Sequence, residues 1–567
     1  MKIIFDDHKQ PFSPMTDRIN TFLQIHPHDN VLVALQDITA GTTVTFNGDN
    51  ITLLTDVAAK HKFTITDLAA GAEIYMYGVL VGKTNGPIAK GAAITTANIH
   101  HAASEYKLGE RKLDWHKPEV DKFAGRTFLG YHRADGSVGT ANYWLVIPLV
   151  FCENRNIMVL KDALVEKLGF RKAKTYENEV DSLISLYQTG NSIEAILNAD
   201  LQTDATEAKS NKLFPNIDGI KFLTHDMGCG GTKSDSDALC GLLAGYITHP
   251  NVAGATVLSL GCQHAQASIL EDEIKKRDPN FSKPLIMLEQ QKIGKESTLM
   301  QEALKQTFAG LIAANKQERT PAPITKICIG LECGGSDGFS GISANPALGY
   351  VSDVLVSLGG SVILAEFPEL CGVEQELSDR CVDIDTAQKF MHLMRTYNAR
   401  AEADGSGFYA NPSPGNVRDG LITDAIKSAG AAKKGGSSPV AAVLDYPEKV
   451  TKPGLNLLCT PGSDVESTTA EVGSGANVVL FTTGLGTPTG NPITPVIKLS
   501  TNTRIYDRMP DIIDINCGTI IEGTETIDQV GERILNYVID VASGVVQPKS
   551  VQLGQDDFIP WKRGVSL

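Results

Sequence analysis

From residue 127 onward, short apolar runs alternate with amphipathic stretches of helical period, and this alternation restricts the fold more than any other feature of the chain. Strands that are separated by helices pair in parallel, so the pattern calls for α/β units around mainly parallel sheets. Residues 142–151, 217–223 and 255–260 read as strands, and each is trailed by a helical segment, at 158–167, 236–247 and 265–276. A polar stretch at 313–323, carrying Pro321 and Pro323, marks a boundary. Beyond it the same grammar resumes, with buried strands expected at 324–329, 361–365, 456–458, 478–481 and 512–515. The first hundred residues differ. Runs at 31–35, 43–46, 51–54, 73–81 and 91–94, broken by Gly and Asn, describe a small barrel-like β domain, followed by a charged connector. A chain of 567 residues exceeds what one core organises. The expected organisation is a β domain at 1–105, a linker at 106–122, and two α/β domains at 123–316 and 317–567. No internal repeat is evident.

A net charge of −15 argues against a nucleic-acid partner, and it means that an anionic substrate needs a local positive site. No run approaches the ~18 apolar residues of a membrane span, so no membrane partner is expected. Residues 1–8 lack the basic region and apolar run of a secretory leader. Ten dispersed cysteines without a Cys-x-x-Cys pair speak against a disulfide scaffold or zinc ribbon and for a reduced, cytoplasmic protein.

Four strand candidates empty into glycine-rich loops of related chemistry. They read His225-Asp-Met-Gly-Cys229-Gly-Gly-Thr-Lys233, Gly261-Cys262-Gln-His264, Glu332-Cys333-Gly-Gly-Ser-Asp337, and Glu366-Phe-Pro-Glu369-Leu-Cys371-Gly-Val-Glu374. In open α/β sheets ligands sit beyond the carboxyl ends of strands, where such loops can converge. Cys229, Cys262 and Cys333 are therefore candidate metal ligands or nucleophiles, weighed against small buried apolar side chains. Cys152, Cys240, Cys328, Cys381 and Cys459 read as the latter, with Cys371 and Cys517 in between. His225 and His264 are placed to ligate a metal or move a proton, or to sit as satisfied polar residues. The third loop continues through Ser340 to Asn345, where Asp337, Ser340 and Asn345 offer polar groups to a site. Asn411-Pro-Ser-Pro-Gly-Asn416 is a turn whose amides suit a polyol. Thr482-Thr483-Gly484-Leu-Gly486 reads as a backbone-amide cradle for an anion, without the signature of a Walker A loop. Lys434, in Lys433-Lys434-Gly-Gly436, offers a charge to a carboxylate or belongs to a solvated helix end.

Together these segments resemble the altronate/galactarate dehydratase family over nearly the whole chain. The resemblance is carried by Gly130-Tyr-His-Arg133-Ala-Asp-Gly136-Ser-Val-Gly139-Thr-Ala-Asn142, the loops from His225, Glu332 and Glu366, Ala344-Asn-Pro-Ala347, Asn411 to Asn416, and Phe481 to Gly486. It implies that the β domain is of the SAF type, with a site at His61, Tyr77 and His100. Two departures stand out there: Lys60 replaces a glycine before His61, and the last piece reads Asn98-Ile-His-His-Ala. A third is Gln263, where an acidic residue is expected after Cys262.

The resemblance further implies a hydro-lyase acting on a sugar acid, D-altronate giving 2-dehydro-3-deoxy-D-gluconate in hexuronate breakdown. Galactarate dehydration and sulfonate elimination are the alternatives within the class, and a non-catalytic sugar-acid binding protein is the alternative outside it. The implied cofactor is Fe(2+), mononuclear or in a labile iron–sulfur cluster, with Mn(2+) as a substitute and Cys229, Cys262 and Cys333 as its ligands. His225 or His264 would move the proton, while Lys434 and the amides of 482–486 take the carboxylate. The partner is a small sugar acid, and the oligomeric state stays open between a monomer and a homo-oligomer.

Overall fold

The computed structural model describes residues 21–172, 175–201 and 212–566. The leader expectation at 1–8 lies outside the described residues. The first domain is β-rich, as expected. Phe22–Leu23, Val31–Ala34, Lys62–Thr64 and Ala93–Ile94 form one antiparallel sheet, Thr43–Phe46 pairs with Asp49–Thr52, and Glu73–Met76, Val79–Thr84 and Ile99–His100 form a third. The single strand expected over 73–81 is a hairpin instead. Tyr77 and Gly78 both take positive φ, 59° and 79°, and their amides donate to the Asp29 carboxylate at 3.1 and 2.8 Å.

Residues 101–120 contain neither helix nor strand and run across the third domain. The Lys107 and Lys112 amides donate to Gln375 Oε1 and Asp379 O, both at 2.7 Å, and Trp115 Nε1 donates to Ser437 Oγ at 3.1 Å. The second domain holds an all-parallel sheet in the order Gly219–Phe222, Tyr143–Pro148, Val252–Ser259, Leu285–Glu289. Its first strand in sequence lies between the next two, so the direction of winding reverses at the Pro148 end. A small antiparallel sheet, Val138–Gly139, Thr127–His132 and Thr320–Pro323, straps this domain to the start of the third. Pro321 and Pro323 are tolerated because that strand is an edge.

The third domain is built on seven parallel strands in the order Val440–Leu444, Gly454–Leu458, Ser361–Leu364, Cys328–Cys333, Val478–Thr483, Val496–Ser500, Ile515–Asn516. The central strand, Cys328–Cys333, is first in sequence. From it the chain winds to one flank and then crosses to Val478–Thr483 on the other, which puts the switch point at Cys333. Helix Ala344–Leu358 packs on this sheet, and Ile329, Leu331, Val362, Ile363 and Leu480 are fully buried within it.

The central strand begins later than its apolar run suggests. Ile324–Lys326 forms a 3-10 turn after Pro323, and the strand instead includes Gly330 and Glu332. Gly330 is required there because a Cβ would stand 2.5 Å from Glu471 Oε2. Among the described residues no helix is long and apolar enough to cross a membrane.

Candidate active site

Cys333 is the last residue of the central strand and is buried, as are Glu366 and Glu369 on the loop after the neighbouring strand. These three side chains offer ligand atoms within 4.8 Å of one another. Glu366 caps the 3-10 turn Phe367–Leu370 with φ +63°, a conformation that costs a side-chain-bearing residue energy and persists where its surroundings impose it. Two buried lysines complete the cluster. Helix Asp424–Ala431 carries Lys427, whose Nζ lies 2.6 Å from Glu369 Oε1. The 3-10 turn that follows it, Ala432–Gly435, carries Lys434, whose Nζ lies 2.8 Å from Glu366 Oε2 and 3.0 Å from Cys333 Sγ. Lys434 is thus no solvated helix end.

The electrostatics divide the acids of this cluster. Burial opposes ionisation of Glu369, but Lys427 and then Lys434 outweigh it and hold the carboxyl below its ordinary range. Burial holds Glu332 and Glu471 well above theirs, reinforced by the Glu366 charge. Glu332 hydrogen-bonds to Glu366 only while it carries its proton. Burial, then Glu366 and Glu369, also keeps the Cys333 thiol protonated. Near Glu366 and Glu369 stands Asp464, first residue of helix Asp464–Ser474, its carboxyl pushed up to about 7 by burial and then by those two carboxylates. Beside it, Asn411 Oδ1 accepts from Lys427 at 2.7 Å, while Asn411 Nδ2 is buried without a partner next to the exposed Gly462. An unpartnered buried donor beside a charged cluster points to a ligand.

The other residues expected to bind substrate build the walls. Asp337 accepts from Phe339 N, Ser340 Oγ and Asn502 Nδ2 at 3.1, 3.1 and 3.2 Å. Asn345 donates to Gly430 O and accepts from Thr482 Oγ1, and Asn416 closes a capping box with Ser413 while donating to Ser336 O. The anion cradle expected at 482–486 is not formed: Gly484 N and Leu485 N both donate to Gly335 O, and Gly486 N donates to Thr483 Oγ1. The first two amides are committed to the loop from Cys333 and the third to its own turn.

The first domain docks against this loop. Lys60 Nζ bridges Asp337 and Asp419 at 3.0 and 2.9 Å, Lys62 Nζ donates to Gly420 O at 2.6 Å, and His61 Nε2 meets Arg418 O at 3.0 Å. Burial pushes the Lys62 ammonium down to about 7. The Tyr77 hydroxyl sits against Gly341 and Gly430, where side chains would exclude it. His100 turns back to Asn85 of its own domain, at 2.7 Å; His101 is the one that reaches across, to Asp424.

Cys229, Cys262 and Cys333 do not form a single ligand set within 4.8 Å. Cys229 and Cys262 are exposed at the carboxyl edge of the second-domain sheet. The unexpected third thiol on that edge is Cys152, also exposed, on the loop after Tyr143–Pro148. Hydrogen bonds stitch the three loops together: Phe151 N to Met227 O at 3.0 Å, Leu149 N to Leu258 O at 2.8 Å, and Ala265 N to Gly228 O at 3.0 Å. The signal for Cys152 was its place after a strand, as for the other two. His225 is buried, its Nε2 2.9 Å from Pro148 O and its Nδ1 accepting from Met227 N, so both nitrogens serve to pin this loop. His264 is exposed and its Nδ1 accepts from Gly230 N at 3.3 Å. Gln263 braces the loop by donating to Ser259 Oγ and Ala265 O and accepting from Gly261 N, donations a carboxylate could not make.

Paired lysines and carboxyls with their proton affinities driven apart, at the switch point of a parallel sheet, define an acid–base enzyme. Comparison with known proteins gives the family. Residues 324–566 match the D-galactarate/altronate dehydratase C-terminal domain, 130–315 the second domain of D-galactarate dehydratase/altronate hydrolase, and 20–102 the altronate/galactarate dehydratase SAF domain. The chain is 32% identical to the altronate dehydratase of Escherichia coli K12 over 92% of its own length and 95% of the relative. It is 32% identical to the altronate dehydratase of Bacillus subtilis 168, over 97% and 100%. To the galactarate dehydratase (L-threo-forming) of Escherichia coli K12 it is 31% identical over 94% and 95%. The chain belongs to the altronate/galactarate dehydratase family.

Proposed function

We propose that this protein is a hydro-lyase that removes water from a sugar acid, D-altronate giving 2-dehydro-3-deoxy-D-gluconate, with Lys427, Glu369 and Asp464 at the reacting centre. The observation that carries the reading is the buried Lys427–Glu369 pair, opening through the unpartnered Asn411 amide and the high-affinity Asp464 carboxyl. Elimination of water requires loss of the C2 proton beside a carboxylate and departure of the C3 hydroxyl. The substrate carboxylate binds Lys427 Nζ and Asn411 Nδ2, which stabilise the charge that develops on it. As Lys427 turns to the substrate, Glu369 loses the ion pair that depresses its proton affinity, and becomes the stronger base needed at C2. Asp464 holds a proton near neutrality and delivers it to the leaving hydroxyl. Lys434 keeps Glu366 and Glu369 compensated in a site that excludes water.

Iron does not suit the Cys333, Glu366 and Glu369 set, because Lys427 and Lys434 already lie against those ligand atoms. The exposed thiols Cys152, Cys229 and Cys262 suit it better, sulfur being a preferred donor for iron. They are not all within 4.8 Å of one another, whereas one ion with bonds of about 2.3 Å holds its thiolates within about 4.6 Å, so a labile cluster fits this edge better than single Fe(2+) or Mn(2+). When bound, it would supply a Lewis acid for substrate oxygens. All ten cysteines are free thiols, which suits the cytoplasm.

The test is anaerobic purification with iron and sulfide analysis, then assay of keto-acid formation from altronate and galactarate. Turnover of altronate is expected, with iron lost in Cys152→Ser and kept in Cys333→Ser. Binding of aldonates without turnover after iron reconstitution would establish a binding protein instead.

A further inference from the structure

A second group of ligand-type side chains lies outside this site. His101, Cys371 and Asp424 bring one nitrogen, one sulfur and one oxygen within 4.8 Å of one another. They come from three separate segments: the end of the first domain, the loop after Ser361–Leu364, and the start of helix Asp424–Ala431. Asp424 is buried and Cys371 half-buried, while His101 Nδ1 pairs with Asp424 and its ring is 37% exposed, leaving an entry path. Cys371 hydrogen-bonds to Asp424, and the carboxylate of Glu374 lies close enough to act on both His101 and Cys371. Gly372, with φ +101°, permits the close approach of this loop to the helix: a Cβ there would crowd Ala425 at 3.0 Å.

We propose that His101, Cys371 and Asp424 bind a divalent transition-metal ion of the zinc type, with Glu374 near enough to supply a further oxygen. The mixed nitrogen, sulfur and oxygen set suits a borderline ion and not Mg(2+) or Ca(2+), which prefer oxygen alone. The ion is separate from the iron of the proposed reaction, and its role is mechanical. Cys371 is two residues from Glu369, and Asp424 three from Lys427, so the ion ties the first domain to the two elements that hold the reactive ion pair.

The experiment is anaerobic Co(2+) titration of the full chain carrying Cys229→Ser and Cys262→Ser, which remove thiols of the second-domain edge. One Co(2+) per chain is expected, with a thiolate-to-cobalt absorption band. Adding Cys371→Ser should abolish the band, and adding His101→Ala, at an exposed ring, should weaken binding by at least about tenfold. A band that survives Cys371→Ser, or the lack of any band in the starting variant, overturns the proposal. X-ray absorption on the Zn(2+)-loaded starting variant gives a second reading that needs no change at the site. One sulfur among nitrogen and oxygen neighbours supports it, and a shell with no sulfur or with several refutes it.

Discussion

Lys427 and Glu369 are both buried, so removing either charge leaves the other uncompensated in a place where solvent cannot help. Lys427→Met is expected to lower kcat by about 10²–10³, the scale of losing one preorganised charge at a reacting carboxylate. The assay is keto-acid formation, with circular dichroism to confirm folding. A variant within a few-fold of the parent would remove Lys427 from the mechanism. Asp464 makes a different kind of prediction. Its carboxyl affinity rises from an ordinary 3.8 to about 7 on folding, so the folded chain keeps a proton that the unfolded chain has lost across that window. The stability it contributes is present below 3.8 and lost as pH rises through 7. Asp464→Asn should therefore gain stability relative to the parent between pH 5 and pH 8, on the order of 2 kcal/mol at the upper end. Urea unfolding at the two pH values reads it, and a constant difference would show that Asp464 titrates normally. Little of this was legible in sequence. Neither Lys427 nor Glu471 lies in a motif, and only long-range packing turns Lys427 to Glu369 and Glu471 to Leu331 N.

Elements show why the loops were legible and their chemistry was not. Strand ends rich in glycine mark the open carboxyl edges of the parallel sheets, but the four loops divide between two sheets, and Cys333 stands apart from Cys229 and Cys262. The anion cradle at 482–486 was misread because free and committed amides share one sequence pattern. Gly484 answers to Asp337, whose carboxylate a Cβ there would overlap, and Gly486 to the Met509 sulfur. Gly484→Ala is expected to destabilise the protein by about 1–3 kcal/mol, as overpacking does, with a parallel loss of activity because the loop from Cys333 must shift. Thermal unfolding together with the altronate assay measures both. An alanine variant of parental stability would mean that Asp337 moves freely, contrary to its three hydrogen bonds. The strand 328–333 was displaced in the reading for a related reason. The apolar run 324–329 satisfies strand propensity, but Pro323 and a tight turn use its first half, and the true strand carries Gly330 and Glu332 for the site.

At the scale of the molecule, the first domain matters through how it docks. The backbone of Lys60 fits between Gly338 and Gly420, whose Cβ atoms would otherwise meet Lys60 O, and its ammonium reaches Asp337 and Asp419. Yet Lys60 has φ +76°, where glycine is the easy choice, so the chain holds a strained residue in return for an ion pair with a fully buried carboxylate. Two substitutions separate strain from charge. Lys60→Ala keeps the strain and loses the pair, whereas Lys60→Gly loses both. The glycine variant should therefore be more stable than the alanine variant by about 1 kcal/mol, and both less stable than the parent. Undocking should also expose the extended connector 101–120, so limited proteolysis is expected to cut there faster in both variants than in the parent. If the alanine variant matched the parent in urea unfolding and in cleavage rate, the Lys60 bridge would contribute nothing to docking. The first domain would then be held by Lys62, Tyr77 and His101, and the strain at Lys60 would be left without a purpose in the fold.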